Sequence, residues 1–157
     1  MSLDGAYDGT NIFAKMIRGE VPCAKVYEDD AVLAFLDLFP QARGHTLGIS
    51  KTAQARTLLD IDPAALQALI AGVQKVARGV RSALQPAGLV VTQFNGQPAG
   101  QTVFHLHFHI IPRYEGEALG GHASGRMADT GGEPLAMLLG GLTLATAAGL
   151  MLRRKVS

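Results

Sequence analysis

The chain is poor in the features that would place it quickly. It has a single cysteine, Cys23, in 157 residues. That excludes an internal disulfide and suits a reducing, cytoplasmic setting. No sequence neighbour would activate this thiol, so Cys23 reads as structural. The formal net charge is only +1, and the basic residues are scattered apart from Arg153-Arg154-Lys155 at the end. The footprint of a nucleic-acid binder is therefore missing. The start, Met1-Ser2-Leu3-Asp4-Gly5, is polar and acidic, and no secretory signal is expected there. Internal repeats are absent, and the length fits one domain with its own core. Histidine is scarce too, with five in all. Yet three of them stand at alternate positions in one apolar run, Val103-Phe104-His105-Leu106-His107-Phe108-His109-Ile110-Ile111.

That spacing chooses a geometry. In a strand, residues two apart share a face. His105, His107 and His109 would line one face, while Phe104, Leu106, Phe108 and Ile110 would supply the buried one. A helix would splay the three rings around its axis. The run is aromatic and β-branched enough for a strand over 103–111, and Pro112 is expected to stop it.

Three imidazoles in register have three readings: a solvated polar face, a metal site or phosphate chemistry. Neutral imidazole is a common metal ligand. Histidine also titrates near pH ~6.5, so one ring can be a neutral nucleophile while a neighbour donates a proton. The segment just upstream, Asn95-Gly96-Gln97-Pro98-Ala99-Gly100-Gln101-Thr102, favours phosphate. Its backbone N–H groups can hold an anion, and its amides and hydroxyl can hold a leaving group.

The segment Gly100-Gln101-Thr102-Val103-Phe104-His105-Leu106-His107-Phe108-His109-Ile110-Ile111-Pro112-Arg113 resembles the signature of the histidine triad superfamily, His-φ-His-φ-His-φ-φ with φ apolar. The resemblance also takes in Asn11-Ile12-Phe13-Ala14-Lys15-Met16-Ile17-Arg18-Gly19-Glu20-Val21-Pro22, Tyr27-Glu28-Asp29-Asp30, Ala34-Phe35-Leu36-Asp37 and Gly44-His45-Thr46-Leu47, in the family's order. It is similar above all to the histidine triad nucleotide-binding, or purine nucleoside phosphoramidase, branch. The uridylyl-transferring branch usually has Gln where this chain has His109, so a hydrolase is expected.

The resemblance implies a role for each matching residue. His107 would attack the α-phosphorus of a nucleoside 5′-phosphoramidate or related nucleotide, and water would release the monophosphate from the nucleotidyl-histidine. His109 would hold the phosphoryl oxygens, His105 would orient the ring of His107, and His45 would complete the set. Asp37 would accept hydrogen bonds from ribose hydroxyls, with Leu38 beside it. Ile12, Phe13 and Met16 would wall the base pocket. Asn95, Gly100, Gln101 and Thr102 would meet the phosphate and leaving group; Thr102 stands where this branch commonly has Ser. The implied ligand is a purine nucleotide of the AMP type, with no nucleic acid, and the implied assembly is a homodimer. A dinucleoside polyphosphate hydrolase and a nucleotide-binding protein with little turnover are the competing readings. Some bacterial relatives bind structural zinc through Cys-x-x-Cys at the positions of Asn11 and Ala14, with a histidine at that of Ala53. All three ligands are missing here, so no metal and no cofactor are expected, although three histidines can suffice for a catalytic ion.

The rest of the chain reads as α+β: a five-stranded antiparallel sheet with one long and one short helix. Residues 1–10 are expected to form a flexible arm, 11–114 the domain and 115–157 an extension. A short helix is predicted over 11–18, ending near Gly19, and strands over 24–28, 31–37, 44–50 and 88–94. Asp62-Pro63 starts a long amphipathic helix carrying Leu66, Leu69, Ile70, Val73, Val76, Val80 and Leu84. Both helices are expected on one face of the sheet. Residues 115–134 read as loop, and His122 is given no role. Leu135 to Leu152 is an uncharged run, about 27 Å long as a helix and at the lower limit for a bilayer. Gly140, Gly141, Thr143 and Thr146 lower its apolarity. A packed helix or dimer contact is the favoured reading, and a membrane tail the alternative.

Overall fold

The computed structural model describes residues 3–117. Residues 118–157, with His122 and the apolar run, lie outside the described residues. Among those described, no helix is long and apolar enough to cross a membrane.

Helix α1 spans Ile12–Ile17. Asn11 starts it: its side-chain oxygen accepts from the Phe13 and Ala14 N–H groups, both at 3.0 Å, two donors with no partner inside the helix. Strands β1 (Lys25–Glu28), β2 (Val32–Leu36) and β3 (Thr46–Ser50) follow. The Asp29 carboxylate makes the β1–β2 turn, taking the Ala31 and Val32 N–H groups at 2.9 and 2.7 Å. Helix α2, Pro63–Leu84, is capped by Asp62 through Ala64 and Ala65, with Pro63 in the first turn. Strands β4 (Gly88–Thr92) and β5 (His107–Arg113) complete an antiparallel sheet of order β1-β2-β3-β5-β4.

The two helices lie on opposite faces of this sheet, not on one as expected. The alternation along β2 shows it. Val32 and Ala34 pack with Leu69, Val73, Val76 and Val80 of α2 and with Phe108 and Ile110 of β5. Leu33 and Phe35 pack with Phe13 and Met16 of α1 and with Leu47 and Ile49 of β3. Residues one apart in a strand face opposite ways, so α1 covers the side that α2 leaves open.

The histidine strand is also shorter at its start, and longer at its end, than the pattern predicts. It begins at His107, because β3 ends at Ser50 and the last β3–β5 pair is Ile49 with His107. Upstream residues have no strand to pair with, and the Leu106 N–H turns instead to the Ala55 carbonyl at 2.8 Å. Pro112 does not stop the strand; it pairs with Leu89 of β4. Pairing with β3 ends at Ile110, so beyond it β5 is locally an edge, where a missing N–H is tolerated.

Residues 3–10, expected as a flexible arm, are tied to the domain at several points. Arg56, itself buried, donates through Nη1 to the Leu3 and Gly5 carbonyls at 2.9 and 3.3 Å. Arg18 reaches the Gly9 carbonyl at 2.9 Å. These bonds satisfy backbone oxygens that a free arm would give to water.

Candidate active site

His107 is the first residue of β5 and is buried. Its Nδ1 donates to the backbone carbonyl of His105 at 2.7 Å. A carbonyl only accepts, so the proton sits on Nδ1 and the lone pair on Nε2. Burial pushes the pKa of this ring below its ordinary value, against the opposing pull of the His105 carbonyl and the Asp37 charge. His107 is therefore neutral at pH 7, the state in which its Nε2 can act as a nucleophile.

His105 precedes the strand, and both of its nitrogens are engaged. Nε2 lies 3.2 Å from the Ser50 carbonyl and Nδ1 lies 2.7 Å from the Tyr7 hydroxyl. Because the carbonyl must accept, Nε2 carries the proton and Tyr7 donates to Nδ1. Burial, the largest cause, lowers the pKa of His105 to about 4.

His109 stands beside His107, with ring centroids 5.0 Å apart. Its Nδ1 is 3.0 Å from Nε2 of His45, a buried residue just before β3. Nδ1 of His45 accepts the Gln41 N–H at 3.2 Å and lies 3.4 Å from an Asp37 oxygen. The Gln41 donor puts the His45 proton on Nε2, so His109 accepts it on Nδ1 and bears its own proton on Nε2. Burial lowers the pKa of His45, with the Asp37 charge opposing. The other Asp37 oxygen accepts the Phe39 N–H at 3.0 Å. Asp37, His45 and His109 have ligand atoms within 4.8 Å of one another, close enough to hold a cation. His45 turns Nε2 to His109 and Nδ1 to Asp37, so a different nitrogen of its ring faces each partner.

Aromatic rings frame these groups. Phe13 of α1 meets His107 edge-on at 5.1 Å and His105 at 6.1 Å. Phe94 meets His109 at 5.2 Å. Of the expected base-pocket residues, Phe13 and Met16 are buried and Ile12 is exposed; Leu38, expected beside Asp37 at the nucleotide, is exposed too. Phe13 alone of the four makes a ring contact with the triad among the described residues.

The Gly-rich loop is built around Gln101. Its buried amide donates to the Arg56 and Val103 carbonyls at 2.6 and 3.1 Å and accepts the Gly96 N–H at 2.8 Å. Asn95 accepts the Leu58 N–H and donates to Gln93, both at 2.8 Å. The two amides expected at the phosphate thus also hold the loop's own shape. The loop holds a short turn of 3₁₀ helix, Gln97–Ala99, between Gly96 and Gly100, whose φ angles are +84° and +104°. These backbone conformations favour glycine. A Cβ on Gly100 would sit 3.9 Å from the Phe94 ring, which places the loop's end beside the ring that flanks His109. Thr102 is exposed.

The structure thus brings His105, His107, His109, His45, Asp37 and Phe13 into one network. Tyr7, Ser50 and Phe94 join it without having been singled out from sequence. Phe94 lay in the predicted fourth strand, whereas nothing in the sequence marks Tyr7, 98 residues away from its partner.

Comparison with known proteins agrees with this geometry. A HIT domain model matches residues 18–116. The chain is 49% identical over 110 residues to Protein hit of Bacillus subtilis, covering 69% of this chain and 75% of that protein. It is 40% identical over 108 residues to the adenylylsulfatase HINT3 of Arabidopsis thaliana, covering 69% of this chain and 54% of that protein. Among solved structures, a Hit-like protein involved in cell-cycle regulation from Bartonella henselae, crystallised with an unknown ligand, superposes with a TM-score of 0.69 at 47% identity. That match covers 91% of this chain and 99% of the other. The clustered histidines, the five-stranded antiparallel sheet and these relatives agree: the chain belongs to the HIT family.

Proposed function

We propose that the protein hydrolyses nucleoside 5′-phosphoramidates or related nucleotides at the α-phosphate, through a covalent nucleotidyl intermediate on His107. HIT-family members are in general nucleotide hydrolases or transferases, and the plant relative is named an adenylylsulfatase. The observation that carries the reading is the bond from His107 Nδ1 to the His105 carbonyl, which leaves a neutral ring with its lone pair on Nε2.

In the first step that lone pair forms an Nε2–P bond, and the bond from phosphorus to the leaving amine breaks. The Thr102 hydroxyl suits delivery of the leaving group's proton. The His109 Nε2–H is the donor suited to the charge that grows on the phosphoryl oxygens. Water then attacks phosphorus and returns one proton to the Thr102 oxygen, the Nε2–P bond breaks, and a nucleoside 5′-monophosphate leaves with His107 and Thr102 restored. Two easier displacements replace one difficult one. Asp37 accepts from the ribose hydroxyls, a task that suits a carboxylate. An AMP-type ligand agrees with Phe13 standing edge-on to the triad, since an apolar wall takes a base face. A homodimer is part of the proposal; its support is that β4 is a sheet edge with Val91 48% exposed, and an open edge calls for cover.

The test is mass spectrometry of the protein quenched while turning over adenosine 5′-phosphoramidate, beside His107→Ala. A gain of one adenylyl group on His107, absent from the variant, is the expected result. Turnover by His107→Ala at a rate within tenfold of wild type would overturn the nucleophile assignment. Binding of AMP without turnover by wild type would favour a binding protein.

A further inference from the structure

We infer that Tyr7, supplied by the N-terminal segment, is a positioning residue for the His107 nucleophile, acting through His105. The inference rests on the reading of His107 as the nucleophile. Its chain of contacts is short. The Tyr7 hydroxyl donates to His105 Nδ1 at 2.7 Å, and the two rings meet edge to face at 5.6 Å. His105 Nε2–H donates to the Ser50 carbonyl. The His105 carbonyl in turn takes the His107 Nδ1 proton. The Ser50 carbonyl thus selects the tautomer of His105, the Tyr7 hydroxyl holds the other side of that ring, and the residue so fixed carries the acceptor that selects the tautomer of His107.

This support matters because His105 lies outside the β-ladder. The β3–β5 pairing stops at His107, so no strand holds the carbonyl on which the nucleophile depends. Two things do hold it: the Leu106 N–H on the Ala55 carbonyl, in the same peptide unit, and the His105 ring clamped at both nitrogens. Without the Tyr7 hydroxyl the clamp opens on one side. A buried imidazole nitrogen would lose its partner, and the ring would be held only through its bond to the Ser50 carbonyl. The freedom so gained would loosen the acceptor of His107.

The segment that brings Tyr7 in is anchored independently of it. Arg56 holds the Leu3 and Gly5 carbonyls, and Arg18 holds that of Gly9. Leu3 lies against Gly96 of the Gly-rich loop, where an added Cβ would come within 3.2 Å of its side chain. The same short segment thus touches the loop at one end and the first triad histidine further on. Tyr7→Phe keeps the ring contact and removes only the hydroxyl.

The experiment uses the full chain with ¹⁵N-labelled histidine, as wild type and as Tyr7→Phe. It reads imidazole nitrogen shifts, melting temperature and turnover of adenosine 5′-phosphoramidate. Wild type is expected to show protonated Nε2 on His105 and protonated Nδ1 on His107. In Tyr7→Phe the His105 Nδ1 shift should move, the His107 pattern should broaden or shift, and kcat should fall about tenfold, the rate equivalent of one hydrogen bond. KM should stay within twofold and the melting temperature within a few degrees. Unchanged His105 shifts would overturn the inference, and so would altered His105 shifts with His107 shifts and kcat both unchanged. If Tyr7→Phe melts far below wild type, the hydroxyl serves the fold and the inference also fails. A wild type without turnover sinks the hydrolase reading alone, and the nitrogen shifts still decide whether Tyr7 controls both rings.

Discussion

His105 should make the stability of this protein depend on pH in a window that carboxylates do not reach. The ring is 2% exposed, and burial lowers its pKa from 6.5 to about 4. Unfolding returns it to water and to its ordinary value. Between those two values the unfolded chain binds more protons than the native one, so stability rises with pH across the window. Its full contribution is present above pH 6.5, is lost as pH falls through the window, and levels off below about pH 4. A shift of this size is worth about 3 kcal/mol in total, at 1.36 kcal/mol per pH unit, and about 2 kcal/mol of it is gone by about pH 5. His45 and His107 are shifted the same way by burial and add to the loss. The lowered carboxylates Glu28, Asp29 and Asp60 hold their contribution until the pH falls below the ordinary carboxylate range, about pH 4. Urea unfolding at intervals from about pH 7.5 to 4.5 measures the effect, with His105→Asn as the comparison. Wild type should lose at least about 2 kcal/mol between pH 7.5 and 5. His105→Asn should be less stable throughout, but with a slope reduced by the His105 share. Parallel curves for the two proteins would refute the reasoning, since they would mean that His105 titrates alike in the folded and unfolded chains.

Two further outcomes follow from the site. Asp37→Asn should weaken AMP binding by about tenfold or more, the loss of charge-assisted hydrogen bonds, and the penalty should nearly vanish for 2′,3′-dideoxy-AMP; calorimetry giving equal penalties for both ligands would remove Asp37 from the ribose. Gln101→Ala leaves the Gly96 N–H and the Arg56 and Val103 carbonyls without their partner, and should cost about 3–5 kcal/mol in urea unfolding; a cost below about 1 kcal/mol would mean that the loop does not depend on this amide.

Local signals in the sequence carried much of this structure. Asp62-Pro63 marks the start of α2, and the apolar spacing of Leu69, Val73, Val76 and Val80 marks the face α2 buries. The alternating histidines pointed to a strand and to one functional face. His45 and Asp37 came from family resemblance, because nothing in their own neighbourhoods distinguishes them. What escaped was non-local. The start of β5 is set by where β3 runs out at Ser50, a property of the partner strand. The placement of α1 opposite α2 follows from chain path, which periodicity does not encode. Gln101 and Asn95 were read for their phosphate chemistry, and the backbone groups of Arg56, Val103, Gly96 and Leu58 that they also hold were not legible. Tyr7 is a lone aromatic in a polar stretch, and only folding brings it to its partner.

The sheet acts as a partition. On β5, Phe108 and Ile110 look towards α2, while His107 and His109 look the other way, into the space shared with Phe13. Substitutions behind the partition change how firmly the molecule stands, and those in front reach both the chemistry and the second core of Phe13, Met16, Leu33 and Phe35. Descendants of such a chain can repack the side facing α2 while keeping their chemistry, because Phe108 and Ile110 of β5 belong to that side and the histidines to the other.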